Sequence, residues 1–251
     1  MKSLAFWCRL VVPVLVIALA APAQQPGSLN ASTQLLVVTT SDWTAVEGKL
    51  QRYERSSPHD KWKPVGGPVT VVVGKNGLGW GAGVVADGRQ SGDPIKKEGD
   101  GKAPAGVFRL SAAFGYAPNP QSGWTMPYVP LTPSVECVDD TGSKFYNRVL
   151  DRSTVAPDWN SSEHMRRSDE LYRWGIVVEH NSDPVKPGGG SCIFMHIWRG
   201  QDQGTVGCTA MPQEKLEAVL NWLDPKKSPL LVQLPNAQYK KMRKRWKLPE
   251  Q

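Results

Sequence analysis

Ser191–Pro212 reads SCIFMHIWRGQDQGTVGCTAMP. Cys192 to Trp198 is rich in β-branched and aromatic residues and follows three glycines, which marks a strand entered from a turn. Alternation puts Cys192, Phe194, His196 and Trp198 on one face and Ile193, Met195 and Ile197 on the other. The second set is apolar and faces a core. A turn-rich connector follows, then Thr205-Val206-Gly207 and Cys208. Pro212-Gln213-Glu214 opens a helix with apolar residues at Leu216, Val219, Leu220 and Leu223, spaced i, i+3, i+4, i+7. On this reading Cys208 sits in the loop just ahead of a helix start.

A thiol nucleophile needs a base to take its proton, a tight backbone to expose it, and N–H groups for the developing oxyanion. His196 can be the base, Cys208 the nucleophile, and Thr205-Val206-Gly207 the tight approach. The helix field falls off within a turn, so it lowers the thiol pKa only a little at this distance. Pairing with His196 matters more.

His196, Thr205, Gly207 and Cys208 resemble the active-site segment of the L,D-transpeptidases of the YkuD family, in which a histidine on a strand precedes an (S/T)-x-G-C segment. The resemblance implies a mainly β fold: a β-sandwich with a few peripheral helices and the cysteine and histidine at the mouth of a cleft. It implies cysteine-dependent acyl transfer on peptidoglycan stem peptides. Cys208 attacks the carbonyl at the L-centre of a diamino acid, the terminal D-residue leaves, and an amine acceptor takes the acyl group from the thioester. Backbone N–H groups at Gly207 and Cys208 are the implied oxyanion donors, with Thr205 shaping the approach. The Ile197 carbonyl is the implied acceptor for the second ring nitrogen of His196. Trp198, Arg199 and Thr209, which flank the pair, are the substrate-binding candidates. No cofactor and no metal are expected. A second stretch, Lys96–Phe108 (KKEGDGKAPAGVF), resembles a family signature in which Gly-Asp-Gly-Lys leads through Thr-Pro-x-Gly into a strand. It reads either as a wall of the cleft or as a turn in which Gly106 supplies special backbone geometry. Two features depart from the family. Ala103 replaces the usual threonine, and Ala210 stands where the family commonly has an arginine two residues after the cysteine. Arg199 and Arg148 are the replacements suggested by charge. The His–Cys spacing is also shorter than in the best-known members.

The N-terminus reads as a secretory signal over 1–23: Lys2 and Arg9, an apolar Leu10–Ala21, and Ala21-Pro22-Ala23 for cleavage. The apolar run is short of the roughly 20 residues that span a bilayer, so no membrane span is expected after cleavage. The expected location is extracytoplasmic, in periplasm or cell wall. Residues 24–34 read as a flexible lead-in and 35–251 as one catalytic domain. Cleavage leaves 28 basic and 23 acidic residues, a formal +5. That suits an anionic polymer without demanding one, and no nucleic-acid motif is present. Cys137, Cys192 and Cys208 remain. An odd count in an oxidising compartment suggests one thiol kept free, with Cys208 the candidate. Cys137 and Cys192 form a disulfide or remain two buried thiols.

Elsewhere, strands are expected at Leu35–Thr39, Val69–Val73, around Phe108–Ala112, at Gly175–Asn181 and at Leu230–Leu234. Ser41 or Asp42 is expected to cap a helix bearing Trp43, Val46, Leu50 and Tyr53. Val155–Arg173 reads as irregular with some helix. Tyr239–Trp246 reads as a basic helix docked by its aromatics. A zinc site at Cys192, His196 and Cys208 is the rival chemistry, but on a strand Cys192 and His196 lie about 13 Å apart. Two further readings compete with acyl transfer. One is a hydrolytic relative. The second is a non-catalytic wall-binding domain in which Trp124, Trp159 and Trp198 stack on sugars.

Overall fold

The computed structural model describes residues 29–250, so the expected signal lies outside the described residues. The chain begins with β1 (Gln34–Thr40), β2 (Glu47–Glu54), β3 (Lys63–Val72), β4 (Leu78–Trp80) and the long β5 (Ala103–Gly115). Four short strands follow: β6 (Tyr128–Pro130), β7 (Val135–Val138), β8 (Val149–Asp151) and β9 (Ser162–His164). Then come β10 (Trp174–Val178), β11 (Phe194–Ile197), β12 (Thr209–Met211), helix α1 (Gln213–Trp222), β13 (Leu230–Pro235) and helix α2 (Asn236–Arg243).

Ten strands form one mixed sheet in the order β10-β11-β12-β3-β2-β1-β13-β5-β4, with β6 added to β5. Because β10 also pairs with β5, the ladder closes on itself, which hides strand edges from pairing with other chains. This is the mainly β fold expected, a sandwich whose layers are one continuous sheet. β7, β8 and β9 make a separate three-stranded sheet. β1 and β13 run parallel, Leu35 opposite Leu230 through Thr40 opposite Pro235, and every residue of both is buried. Burial on both faces is what the unbroken apolar runs of these strands require. α2 covers β1 and β13 and buries Tyr239 and Met242, while α1 lies on β10 and β11 and buries Leu216, Val219 and Leu220. Each such apolar side chain contributes about 1.5–3 kcal/mol.

Phe114, Val135, Met165, Tyr172, Phe194 and Cys208 belong to a second apolar cluster that also holds Cys137 and Cys192. Those two cysteines form a disulfide with Cα atoms 5.9 Å apart, tying β7 to the approach to β11. Cys208 keeps a free thiol. A cysteine in a disulfide is no thiolate ligand, so the zinc reading loses Cys192.

Three expectations are corrected. Residues 47–54 are a strand, and Asp42 instead closes a turn through the N–H groups of Thr44 and Ala45. In β2's unbroken register with β1, Leu50 and Tyr53 point to opposite faces. Both are buried, Tyr53 with its hydroxyl donating to the Glu250 carbonyl at 3.3 Å. Their three-residue spacing imitates a helix because both faces are covered. Residues 155–173 hold the short strand β9 and no α-helix. The strand β12 stands between Cys208 and α1. The described end of the lead-in is held in place, the Arg55 guanidinium donating to the carbonyls of Ser32 at 2.8 Å and Leu29 at 2.7 Å. Gly106 has a φ of +143° inside β5, the special geometry expected of it.

Candidate active site

β11 and β12 are parallel neighbours with Met195 opposite Thr209 and His196 opposite Ala210. Cys208, just before β12, is therefore level with Phe194, two residues back from His196. Two strand steps along and one strand spacing across put the Cα atoms of Cys208 and His196 roughly 8 Å apart on one face. An imidazole arm and a thiol together can close that gap. The Tyr172 ring stands edge-on to His196, centroids 5.1 Å apart, and packs in the same apolar cluster as Cys208.

The approach to Cys208 is pinned by Thr205. Its hydroxyl donates to the Cys208 carbonyl at 2.6 Å and accepts from the Gly207 N–H at 3.1 Å. Its backbone bonds to Val73 at 2.9 Å and Lys75 at 2.7 Å, fixing the turn to the end of β3. A Cβ on Gly207 would sit 3.3 Å from both Ile193 Cδ1 and the Lys102 carbonyl, so a side chain there would press on both neighbours.

His196 Nδ1 lies 2.7 Å from the Ile197 carbonyl. That contact fixes Nδ1 as the protonated nitrogen and leaves Nε2 the basic one. The thiol accepts from the Phe194 N–H at 3.3 Å and faces the Cys192 carbonyl at 3.6 Å; neither contact reaches His196. Burial pushes the Cys208 thiol up to about 12, and the neighbouring Glu163 carboxyl adds to the shift. Burial pulls His196 down to about 4, opposed in part by the Ile197 carbonyl. The resting pair is thus neutral thiol and neutral imidazole.

A groove of about 300 Å³ opens in front of His196, lined among others by Glu163, Arg167, Tyr172, Trp198, Arg199 and Ala210. Cys208 is not part of its lining and is buried. Of the substrate-binding candidates, Trp198 and Arg199 are part of this groove. Thr209 is not: it is 2% exposed and its hydroxyl donates to Gln233 Oε1 at 2.7 Å inside the protein. In β12 its side chain points away from the face that carries Cys208 and Ala210. Gly207 has its N–H engaged by Thr205, which leaves Cys208 as the oxyanion candidate of the two. Arg148 lines a separate cavity behind β10 with His180. Trp124 and Trp159 are buried, the first edge-on to Trp174 at 5.0 Å and the second donating to Glu136 at 2.9 Å; they pack.

Sequence reading misses Glu163, Arg167 and Tyr172. Tyr172 donates to Glu163 at 2.7 Å, and burial raises the Glu163 pKa. Arg167 makes two 2.8 Å bonds to Asp169 and lies 3.7 Å from Glu163, while Arg199 lies 3.7 Å from Asp169. Charges of alternating sign thus run along the groove wall. Glu163 lies in the short β9 and Arg167 and Tyr172 in the irregular segment after it, and nothing in the local pattern singles them out.

The closed mainly β domain thus carries a free thiol just ahead of one strand and an oriented imidazole on the parallel strand beside it. The chain belongs to the YkuD family of L,D-transpeptidase catalytic domains, whose family model matches residues 47–232. No curated protein matches the sequence. The solved structure of Bdellovibrio bacteriovorus Bd1075 is similar at 12% identity and a TM-score of 0.40, over 86% of this chain and 55% of that one. The chain thus spans little more than half the length of that protein. Among the described residues no helix is long and apolar enough to cross a membrane.

Proposed function

We propose that the protein is an L,D-transpeptidase in which Cys208 attacks the carbonyl at the L-centre of a stem-peptide diamino acid, with His196 Nε2 taking the thiol proton. The observation that carries this reading is the His196 Nδ1 contact with the Ile197 carbonyl. It presents a basic nitrogen on the face of the sheet that also carries the free cysteine. The Cys208 N–H faces the developing oxyanion. The terminal D-residue leaves with the proton held by His196, and an amine of a second stem peptide resolves the thioester. A neutral resting pair means that proton transfer accompanies attack rather than preceding it, once substrate in the groove turns the sulfur toward His196. Trp198 and Arg199 hold the donor peptide, Arg199 standing in for the guanidinium that Ala210 lacks.

The reaction belongs outside the cytoplasm. The signal-like start of the sequence supports this, and so does the Cys137–Cys192 disulfide, which persists in oxidising compartments. Mass spectrometry of purified stem peptides incubated with the protein tests the reading: cross-linked product and a released D-residue are expected, through an acyl adduct on Cys208. Trimming without cross-linking would make it a carboxypeptidase, and cleavage of preformed cross-links a hydrolase. An adduct that survives Cys208→Ala would end the proposal.

A further inference from the structure

Lys96 is almost completely buried, its side chain 3% exposed. Its ammonium donates to the Asp100 carboxylate at 2.7 Å and to the Lys97 carbonyl at 2.7 Å. Asp100 in turn accepts from the Lys97 N–H at 2.7 Å and the Lys102 N–H at 2.9 Å. The turn from Lys96 to Lys102 is therefore built around one buried ion pair. Breaking such a pair strongly destabilises a fold, whereas an apolar pair in its place is often neutral. Stability alone gives little reason to keep it.

Its surroundings supply a reason. A Cβ built on Gly207 would lie 3.8 Å from Lys96 Nζ, and one on Gly190 3.0 Å from Lys96 Cε. The ammonium thus stands beneath the peptide that delivers Cys208 and beside the glycine that leads to Cys192. The same turn grips that second segment directly, since Glu98 accepts from Ser191 Oγ at 2.7 Å and also from the Tyr146 hydroxyl. Nζ carries three protons, and two are used by Lys97 and Asp100.

We propose that Lys96 is a positioning residue for the nucleophile: its buried charge holds the Gly207–Cys208 step and favours the thiolate as it forms, without touching substrate. This rests on Cys208 being the nucleophile. Glu163 disfavours the thiolate, while the Phe194 N–H, the Tyr172 hydroxyl, which also donates to Glu163, and the charge of Lys96 favour it. In a low-dielectric site such opposed charges act strongly. The Lys-Lys-Glu-Gly-Asp-Gly-Lys stretch thereby gains a role beyond a turn.

The test is the pH dependence of iodoacetamide labelling at Cys208, with folding checked by thermal melts. Lys96→Met with Asp100→Asn removes both charges at similar volume. It should label about tenfold more slowly at a fixed alkaline pH, the fall expected of a one-unit loss in thiolate stability. Asp100→Asn alone leaves the ammonium uncompensated and should label faster at the same pH. Lys96→Arg should keep the profile near that of the parent. A folded double variant with the parent's profile, or both neutralising variants moving the same way, would overturn the proposal. So would failure of all three to fold, which would make the pair a folding element only. Labelling needs no stem peptide, so a parent protein that labels as described but transfers no acyl group would sink the functional reading alone.

Discussion

Acidification should unfold this protein through two buried imidazoles. His196 and His180 are each held near a pKa of about 4, down from the ordinary 6.5, with burial the main cause in both. His180 is 1% exposed, its Nε2 2.9 Å from the Gly189 carbonyl and its Nδ1 without a partner among the described residues. The unfolded chain takes up a proton at each histidine as pH falls through 6.5, while the folded chain resists until about 4. Stability is therefore intact above 6.5 and lost between 6.5 and 4. By pH 4.5 the loss amounts to about 2.5 kcal/mol per histidine, or about 5 kcal/mol for the pair. That is comparable with the whole stability of many domains. Glu163, with its raised pKa, works in the opposite sense over part of the same range. Urea titrations followed by tryptophan fluorescence at pH 7.5, 6, 5 and 4.5 read the effect. His180→Gln keeps a donor near the Nε2 position for Gly189 and removes one titrating group, so it should lose about half as much between pH 7.5 and 4.5. A flat stability profile across that range, or a variant with the parent's slope, would refute the reasoning.

Replacing Cys137 with serine opens the disulfide that spans 55 residues. The chain-entropy model puts the loss at roughly 4 kcal/mol, to be measured as a fall in Tm that reducing agent reproduces in the parent. Thr205→Val removes both hydroxyl bonds that pin the turn before Cys208. Acyl transfer should drop by about tenfold or more, since small misplacements of reacting groups are costly, with a comparatively small change in Tm. Leu220→Ala, at a fully buried position of α1, should cost about 2–5 kcal/mol in urea titrations and leave the labelling rate of Cys208 unchanged.

The elements that sequence reading places well share one property: a single pattern with a single cause. The 192–198 stretch alternates, and in the structure Phe194 joins the cluster of Cys208 and Tyr172 while Ile193, Met195 and Ile197 join the main core. The apolar stripe of α1 and the aromatic anchors of α2 are equally legible. Residues 43–53 mislead because two covered faces of one strand superimpose on a helical spacing. Thr209 misleads because adjacency to Cys208 in sequence means opposite faces on a strand. The groove wall is invisible for a different reason. Glu163, Arg167 and Tyr172 reach His196 through β9 and an irregular segment, and only the assembled sheet brings them there. The disulfide lies between these cases: parity points to a lone thiol, but only coordinates bring Cys137 and Cys192 within bonding distance.

The last strand of the closed ladder has a consequence for how the polypeptide is made. β13, at Leu230–Pro235, is inserted between β1 and β5, so the gap between those two early strands stays open until that late segment exists. Native-like assembly cannot run to completion while the ribosome is still building the first two hundred residues, and such long-range pairing is slow. A nascent chain of this design stays threadable for longer, which would suit the export proposed above.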